Sequence, residues 1–158
     1  MHRDDTSFVA GNAFKPQSPR WRETIVDCLE RQEFLKLVGA EVTSIEPGFI
    51  EAVLSLKENH KQHDGIAHGG VIATLADIVT GFAAYTLVAD DQCTVTIDMT
   101  VSYLEAAHHG VLRAVGRVLR HGRSISFARG EIFSSDASPA NERLIAIAQA
   151  TFAIRQRA

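Results

Sequence analysis

The sequence predicts an α+β domain in which a curved antiparallel β-sheet wraps around one long central helix. Two observations support this fold class. The stretch from Gly69 to Ala89 is apolar except for one carboxylate, Asp77, which is typical of a helix surrounded by protein. Two short segments rich in β-forming residues precede this stretch, and four follow it. A chain of 158 residues is long enough to bury one hydrophobic core, so a single domain accounts for these elements.

No folded element is predicted before the helix that begins at roughly residue 19. Residues 1–20 are polar and lack the apolar core of a secretory signal, so we interpret them as a poorly ordered lead-in. The single domain then covers residues 21–158. It begins with a helix over roughly 19–35, in which apolar residues recur at helical spacing. These apolar residues are Ile25, Leu29 and Leu35.

The strands are predicted from short runs of β-branched and aromatic residues. A hairpin is expected where residues 40–45 and 49–56 flank a Pro-Gly turn. A loop over 57–67 connects this hairpin to the central helix, which is predicted over 69–88. Four further strands are predicted over 93–105, 111–121, 124–134 and 143–155.

The strand over 93–105 alternates between apolar and polar residues, which indicates a half-buried strand of an antiparallel sheet. Its apolar face is predicted to consist of Cys93, Val95, Ile97, Met99, Val101 and Tyr103. Its polar face is predicted to consist of Thr94, Thr96, Asp98, Thr100 and Ser102. Because one sheet cannot cover the central helix on all sides, we expect a homodimer whose sheets join edge to edge.

Composition and charge disfavour several classes of partner. The net charge of -3 gives no global electrostatic argument for nucleic acid or for an anionic membrane. The apolar run is long enough to span a membrane, but a carboxylate at its centre costs roughly 2.5–3.5 kcal/mol on insertion scales. Cys28 and Cys93 fit no disulfide framework, which favours a reducing cytoplasm. The histidines lack a metal-ligand spacing, so no metal site is predicted.

Asp77 is the main candidate for a catalytic residue. A carboxylate in an apolar helix is costly to bury unless it is paired, reaches a cleft or takes part in chemistry. A structural role, in which Thr74, Thr80 or a neighbouring loop donates to Asp77, is the alternative. The polar loop from Gln62 to Gly70 leads into the helix, whose first N–H groups are free donors for a developing negative charge. The loop and the carboxylate together predict a site.

Three segments of this region carry a resemblance to a known family. They are His68-Gly69-Gly70, then Leu75-Ala76-Asp77, then Thr96-Ile97-Asp98-Met99 with Tyr103-Leu104. With the order of strands and helix, this pattern resembles the PaaI-type hotdog-fold thioesterases over roughly residues 34–156. The resemblance implies the hotdog fold and hydrolysis of an acyl-CoA thioester. It also implies a homodimer or homotetramer without a tightly bound cofactor.

The same resemblance implies catalytic roles for four residues. Asp77 is expected to act as general base or nucleophile, and the sequence does not choose between these roles. Gly69 is expected to offer its backbone N–H to the thioester oxygen. Gln62 stands where the family often has Asn, and is expected to help hold the carbonyl or the water. Thr96 is expected to orient the water. Because family active sites lie at the dimer interface, Asp77 and Thr96 are expected to come from different subunits.

Other residues are predicted to bind substrate. They include Gly70, His63 and His68. For His63 the alternative is a polar loop residue, and His68 is expected to orient or cap rather than to act as a base. Arg120 and Arg123 lie at a turn between two strands and are expected to hold CoA phosphates, although a solvated hairpin face is the alternative. The basic residues around them are Arg113, Arg117, His121 and Arg129. Acyl specificity is expected to depend on Phe82, Tyr85 and Leu104.

Two functions from other classes remain open. One is a non-hydrolytic acyl-CoA-binding module, in which Gln62 replaces a working Asn and CoA-ester binding occurs without CoA release. The other is a hotdog hydratase or dehydratase, in which His68 acts together with Asp77. Hydration of an enoyl-CoA would distinguish this second function from hydrolysis.

Overall fold

The computed structural model describes residues 14–136 and 141–157. The helices are α1 (Trp21–Arg31), α2 (Glu33–Val38) and α3 (Gly69–Tyr85), and a 3-10 turn covers Glu58–His60. The strands are β1 (Ala40–Glu46), β2 (Phe49–Ser55), β3 (Gln92–Tyr103), β4 (Val111–His121), β5 (Ile125–Ser135) and β6 (Arg143–Gln156).

The six strands form one antiparallel sheet in the order β1-β2-β4-β5-β6-β3. The sheet wraps around α3, which contacts all six of its strands. This arrangement is the predicted hotdog fold, so the predicted fold class is confirmed. Strands β1 and β3 lie at the two edges, and the 12 residues of β3 leave a long free edge beside the central helix.

Helix α3 is held close to the sheet by its apolar sequence and by small residues opposite it. Its buried residues include Leu75, Val79 and Phe82, and the hydroxyl of Thr80 donates to the Ala76 carbonyl at 2.6 Å. On β4, a Cβ added at Gly116 would lie 2.2 Å from the Val79 carbonyl oxygen. Glycine at this position therefore allows the helix backbone to approach the strand backbone.

The predicted N-terminal helix is interrupted in the structure. Gln32 adopts extended backbone angles (φ -85°, ψ 90°), so the expected helix over 19–35 is two helices, α1 and α2. The predicted inward face is nevertheless correct, because Ile25 and Leu35 are both buried. The two helices together form a wall beside α3.

The alternation predicted for β3 is wrong in one half of the strand. The pairing with β6 shifts register between Thr96 and Asp98, so Ile97 is a bulged residue. Before the bulge the threonines face α3, whereas Val95 and Ile97 are about half exposed. After the bulge the apolar residues face α3, as predicted. The residues on the helix side are Thr94, Thr96, Met99, Val101 and Tyr103.

The last residues of the predicted lead-in pack against the domain. The Gln17 backbone N–H donates to the Leu87 carbonyl at 3.2 Å, and the Phe14 ring lies against Gly48. Residues 1–13 lie outside the described residues, and the division at residue 20 stays a prediction. Among the helices of the described ranges, none has both the length and the apolar character needed to cross a membrane.

Candidate active site

Asp77 lies in the wall of a cleft of about 560 Å³. The cleft is bounded by α3, by the α1–α2 wall and by the helix-facing side of β3. Its lining residues are Cys28, Gln32, Phe34, Ala73, Thr74, Asp77, Ile78, Gly81, Phe82, Tyr85, Thr94, Thr96, Met99 and Phe152. The Asp77 side chain is partly exposed, so a small molecule in this cleft can reach its carboxylate. The cleft is of the size and apolar character of ligand sites in enzymes.

One hydrogen bond orients the Asp77 carboxylate. Thr96 Oγ1 donates to Asp77 Oδ1 at 2.9 Å, and no described residue donates to Oδ2. Both residues belong to one chain, so the expectation that they come from different subunits is wrong. Thr80, one of the donors expected for a structural role of Asp77, donates to backbone carbonyls and not to the carboxylate. The free Oδ2 is available to a water or to a substrate carbon.

The start of α3 offers a free backbone donor. His68 is the N-cap, and its Nδ1 accepts from the Gly70 N–H at 2.9 Å. This is the capping role predicted for His68, and it occupies the Gly70 N–H. The Gly69 N–H has no acceptor among the described residues. The Tyr103 hydroxyl donates to the Gly69 carbonyl at 3.0 Å and so ties β3 to this first helical turn.

Gly69 and Asp77 do not meet within one chain. They are eight residues apart on α3, and a helix rises about 1.5 Å per residue, so they lie about 12 Å apart along the axis. Gly69 and Gly70 are absent from the lining of the cleft that contains Asp77. One carbonyl group therefore cannot touch both Gly69 N–H and the Asp77 carboxylate of the same chain.

The loop before α3 is folded as a tight turn. The Gly65 N–H donates to the Gln62 carbonyl at 2.9 Å, and the Gln62 N–H donates to the Ile66 carbonyl at 2.9 Å. Gly65 has a φ of 75°, which favours glycine at this position. His63 is exposed, with its Nε2 3.4 Å from Asp64. Neither His63 nor Gln62 lines the cleft within the described part of one chain.

This chain matches the model of a known protein family and the sequences of several named proteins. The family model of the thioesterase superfamily matches residues 64–139, the segment that contains Gly69, Asp77 and Thr96. A protein of Saccharolobus solfataricus named as an esterase is 30% identical over 104 residues, which is 66% of this chain and 74% of that protein. The chain belongs to the thioesterase superfamily.

Other relatives agree with this thioesterase assignment. The 1,4-dihydroxy-2-naphthoyl-CoA hydrolase of Listeria monocytogenes is 24% identical over 122 residues, covering 76% of this chain and 94% of that enzyme. A thioesterase family protein from Silicibacter pomeroyi has the same fold, with a TM-score of 0.83, 23% identity and coverage of 87% and 99%. The PaaI protein of E. coli also shares the fold, with a TM-score of 0.77, 17% identity and coverage of 88% and 94%. The resemblance to PaaI-type hotdog thioesterases is thus confirmed.

The arginines on β4, on β5 and at the turn between these strands differ in their contacts: some make ion pairs or lie over a ring, and others do not. Arg113 pairs with Glu142 at 2.6 Å and with Glu51 at 2.9 Å. The hydrogen bonds that Arg113 donates to Glu142 and, less strongly, to Glu51 raise the pKa of Arg113 despite its partial burial. Arg117 lies over the Phe49 ring, and Arg129 pairs with Glu131. In the described part of the chain, Arg120 and Arg123 are exposed and make no ion pair. Neither residue lines the cleft.

His121, between Arg120 and Arg123, packs against the N-terminal segment. Its Nε2 lies 3.3 Å from Gln17 Nε2, and its Nδ1 lies 3.4 Å from Ser126 Oγ. Burial lowers the pKa of His121 below its ordinary value, because the charged imidazolium loses hydration. The neutral imidazole is therefore the form that the fold favours.

Part of the cleft was not predicted from the sequence. Phe82 and Tyr85 line it as expected, whereas Leu104 is about half exposed at the end of β3 and lies outside it. The residues that were missed are Cys28, Gln32, Phe34, Thr94, Met99 and Phe152. They come from four separate elements, and only the apolar face of the N-terminal helix could have indicated the wall formed by α1 and α2. Within the described ranges, no three His, Cys, Asp or Glu side chains are grouped as a metal ion would require.

Proposed function

We propose that this protein hydrolyses an acyl-CoA thioester to a free acid and CoA, with Asp77 as the catalytic carboxylate. The observation that carries the proposal is that Asp77 faces a substrate-sized cleft while Thr96 holds only one of its two oxygens. A carboxylate with one oxygen fixed and the other free suits proton transfer from water or direct attack on a carbonyl. Membership of the thioesterase superfamily makes a small thioester the substrate.

Two chemical routes use the same carboxylate. In the first, Asp77 takes a proton from water as the water oxygen bonds to the thioester carbon. The tetrahedral intermediate then breaks its C–S bond, and the CoA thiolate takes up a proton. In the second, Asp77 Oδ2 bonds to the carbon, the C–S bond breaks, and water hydrolyses the resulting anhydride. In a single turnover in ¹⁸O-water, label in the Asp77 carboxylate identifies the second route, because only an anhydride that opens at the enzyme carbonyl places label there.

The oxyanion donor in this proposal is the Gly69 N–H of the partner subunit. Within one chain Gly69 lies about 12 Å from Asp77 along α3, which is too far for both to act on one carbonyl group. A homodimer in which the free edges of two β3 strands meet would bring a second copy of α3 alongside the cleft. Val95 and Ile97 on β3 are 52% and 55% exposed, so this edge also offers apolar surface for burial. Gln62 would then act beside the same partner glycine.

A dimer of dimers is the larger assembly we propose. The outer face of the sheet carries exposed apolar residues on two adjacent strands. They are Leu119 on β4 and Ile125 and Phe127 on β5, each at least 40% exposed. Surface of this kind on a soluble protein commonly marks an interaction site. Packing this face against a second dimer would form a homotetramer.

CoA is proposed as the leaving thiol for two reasons. The Listeria monocytogenes relative is by its name a hydrolase of a CoA thioester. Arg120 and Arg123 also present two free cations that suit the CoA phosphates. No metal or tightly bound cofactor is needed for either route. The hydratase alternative is less favoured, because His68 Nδ1 already accepts from the Gly70 N–H and is not free to act as a base.

The test is a panel of acyl-CoA esters assayed for release of free thiol, with wild type beside Asp77→Ala. We expect turnover of at least one ester by wild type and at least a hundredfold lower turnover by the variant. Saturable binding without thiol release would replace the proposal with an acyl-CoA-binding module. Hydration of an enoyl-CoA without thiol release would replace it with a hydratase.

A further inference from the structure

The cleft has a defined far end, because β3 runs antiparallel to α3. Tyr103 lies beside Gly69, Thr96 lies beside Asp77, and Thr94 Oγ1 donates to the Gly81 carbonyl at 3.4 Å. A molecule that extends from Asp77 towards the C-terminus of α3 therefore passes Thr94 and reaches Tyr85, the last residue of the helix. Tyr85 lines the cleft, and its ring is part of the cleft's distal wall.

The hydroxyl of Tyr85 is free to donate a hydrogen bond. Arg157 Nη2 donates to Tyr85 Oη, and Cys28 Sγ lies 3.9 Å from the same oxygen. A thiol is a weak hydrogen-bond partner. The Tyr85 oxygen thus serves as acceptor to a cation, and among the described residues its own hydrogen has no oxygen or nitrogen acceptor. This hydrogen can be donated to a ligand atom in the cleft.

Arg157 adds a positive charge that its neighbours do not neutralise. Its backbone N–H donates to the Asp91 carbonyl at 2.8 Å, and its Nε donates to the Gln92 carbonyl at 3.1 Å. Its guanidinium carbon lies 5.4 Å from the centroid of the Tyr85 ring. In the described part of the chain no carboxylate lies within ion-pair distance of this guanidinium. Backbone contacts thus hold the guanidinium against Tyr85, and Arg157 acts on the cleft through Tyr85 because it does not itself line the cleft.

We propose that the Tyr85 hydroxyl, held and polarised by Arg157, forms a polar subsite at the distal end of the acyl cleft, which selects acyl groups that carry an oxygen acceptor at their far end. The walls between Asp77 and this subsite are largely apolar, with Ile78, Phe82 and Phe152 among them. Such a cleft suits an acyl group that is apolar along its length and bears a terminal carboxylate or hydroxyl. The inference rests on the proposed function, since it assumes that the thioester carbon lies at Asp77.

The length of the cleft sets the size of the acyl group. Tyr85 follows Asp77 by eight residues, or about 12 Å along the helix axis. Long side chains on a helix lean towards its N-terminus, which brings the Tyr85 ring back towards Asp77 and shortens the span. Medium-length chains are therefore the appropriate probes.

The experiment compares CoA esters that differ only at the far end of the chain. Octanoyl-CoA, 8-hydroxyoctanoyl-CoA and octanedioyl-CoA form one matched set, and the six-carbon analogues form a second. We expect kcat/KM to be about tenfold higher or more for an oxygenated member than for its methyl-ended counterpart, as a charge-assisted or neutral hydrogen bond would give. The comparison of hydroxyl with carboxylate identifies which oxygen group the subsite prefers.

Three variants assign the preference to the subsite. Tyr85→Phe removes the donor hydrogen and should abolish most of the preference, and Arg157→Gln should lower it most for the carboxylate. Arg155→Gln is the matched control, because Arg155 is exposed on β6, two residues before Arg157, and makes no hydrogen bond with Tyr85 among the described residues. Equal kcat/KM within both sets, or a preference that survives Tyr85→Phe, would overturn the inference. An equal loss in Arg155→Gln would overturn it as well.

A binding measurement separates this inference from the proposed function. Calorimetric titration of the Asp77→Asn variant with the same esters needs no hydrolysis. If wild type releases no thiol but the variant binds the oxygenated ester more tightly, and Tyr85→Phe removes that difference, the subsite is supported while the proposed function fails. If none of the six esters binds, the subsite is rejected.

Discussion

Thr96 on β3 donates its hydroxyl hydrogen to Asp77 on α3 at 2.9 Å, and both residues belong to one chain. The contact joins the edge strand of the sheet to the middle of the central helix. It depends on the bulge at Ile97, which allows Thr96 before it and Met99 after it to face the helix. One subunit thus contributes the carboxylate and its positioning hydroxyl as a unit.

Replacing Thr96 should lower turnover more than substrate affinity. Thr96→Val keeps the shape of the side chain but removes the donor to Asp77, so we expect kcat to fall roughly tenfold to a hundredfold through loss of carboxylate orientation. Thr96→Ser keeps the hydroxyl and should stay within about threefold of wild type. Steady-state kinetics with one acyl-CoA measures both. Equal kcat in wild type and Thr96→Val would exclude a positioning role for this hydrogen bond.

A site shared between two subunits predicts complementation between inactive variants. Asp77→Asn and Gln62→Ala disable different halves of the proposed site, so a mixed dimer would contain one site with both native residues. Random mixing should then restore about a quarter of wild-type activity, because half of the dimers are mixed and each has one intact site. Activity is measured after the two variants are unfolded and refolded together.

The control for this experiment is each variant refolded alone, which should remain at its own low activity. Absence of any gain on mixing, in a preparation shown by native mass spectrometry to contain mixed dimers, would contradict the shared site. A monomeric protein that is fully active would contradict it too.

Gly116 should be intolerant of a side chain. A Cβ there would lie 2.2 Å from the Val79 carbonyl oxygen and 2.8 Å from the Thr80 nitrogen, so Gly116→Ala must push α3 away from β4. We expect a loss of about 1–3 kcal/mol in the free energy of unfolding, measured by urea denaturation. Gly122→Ala is the matched control, since its nearest contact would be 3.2 Å from the Ile125 carbonyl oxygen. Equal stability of the two variants would show that α3 does not pack as closely as described.

Stability should fall as the pH is lowered below about 6.5. Burial lowers the pKa of His121, so the unfolded chain takes up this proton at a higher pH than the folded chain does. The stabilisation is therefore complete above the unfolded pKa and is lost as pH falls through the lowered pKa. Melting temperatures between pH 7.5 and 5 should decline less in His121→Gln than in wild type. An unchanged slope in His121→Gln would contradict the prediction.

The predicted elements came close to the observed ones where hydrophobic periodicity is strong. The strand predicted over 111–121 has the bounds of β4, and the helix predicted over 69–88 begins with α3 and ends three residues beyond it. Periodicity failed at Ile97, because a bulge adds one residue to a strand without changing its composition. It also failed at Gln32, since a break of one residue leaves the apolar spacing on both sides intact.

The candidate site was predictable only in part. Asp77 stood out as a lone carboxylate in an apolar run, and the helix start at Gly69 followed from the polar loop before it. The distal end of the cleft was not predictable, because Cys28, Tyr85 and Arg157 are distant in sequence and meet only when α1 and β6 pack at the end of α3. Contacts of this kind depend on the tertiary arrangement and leave no local pattern.

The measurement that tests the central claim most directly compares Asp77→Asn with Asp98→Asn in the hydrolysis of one acyl-CoA. Both changes replace a carboxylate by an amide of the same shape, but Asp77 lines the cleft and Asp98 is exposed on β3 outside it. We predict at least a hundredfold lower kcat for Asp77→Asn, with normal folding by circular dichroism, and a kcat within about threefold of wild type for Asp98→Asn. Wild-type turnover by a folded Asp77→Asn variant would contradict the account.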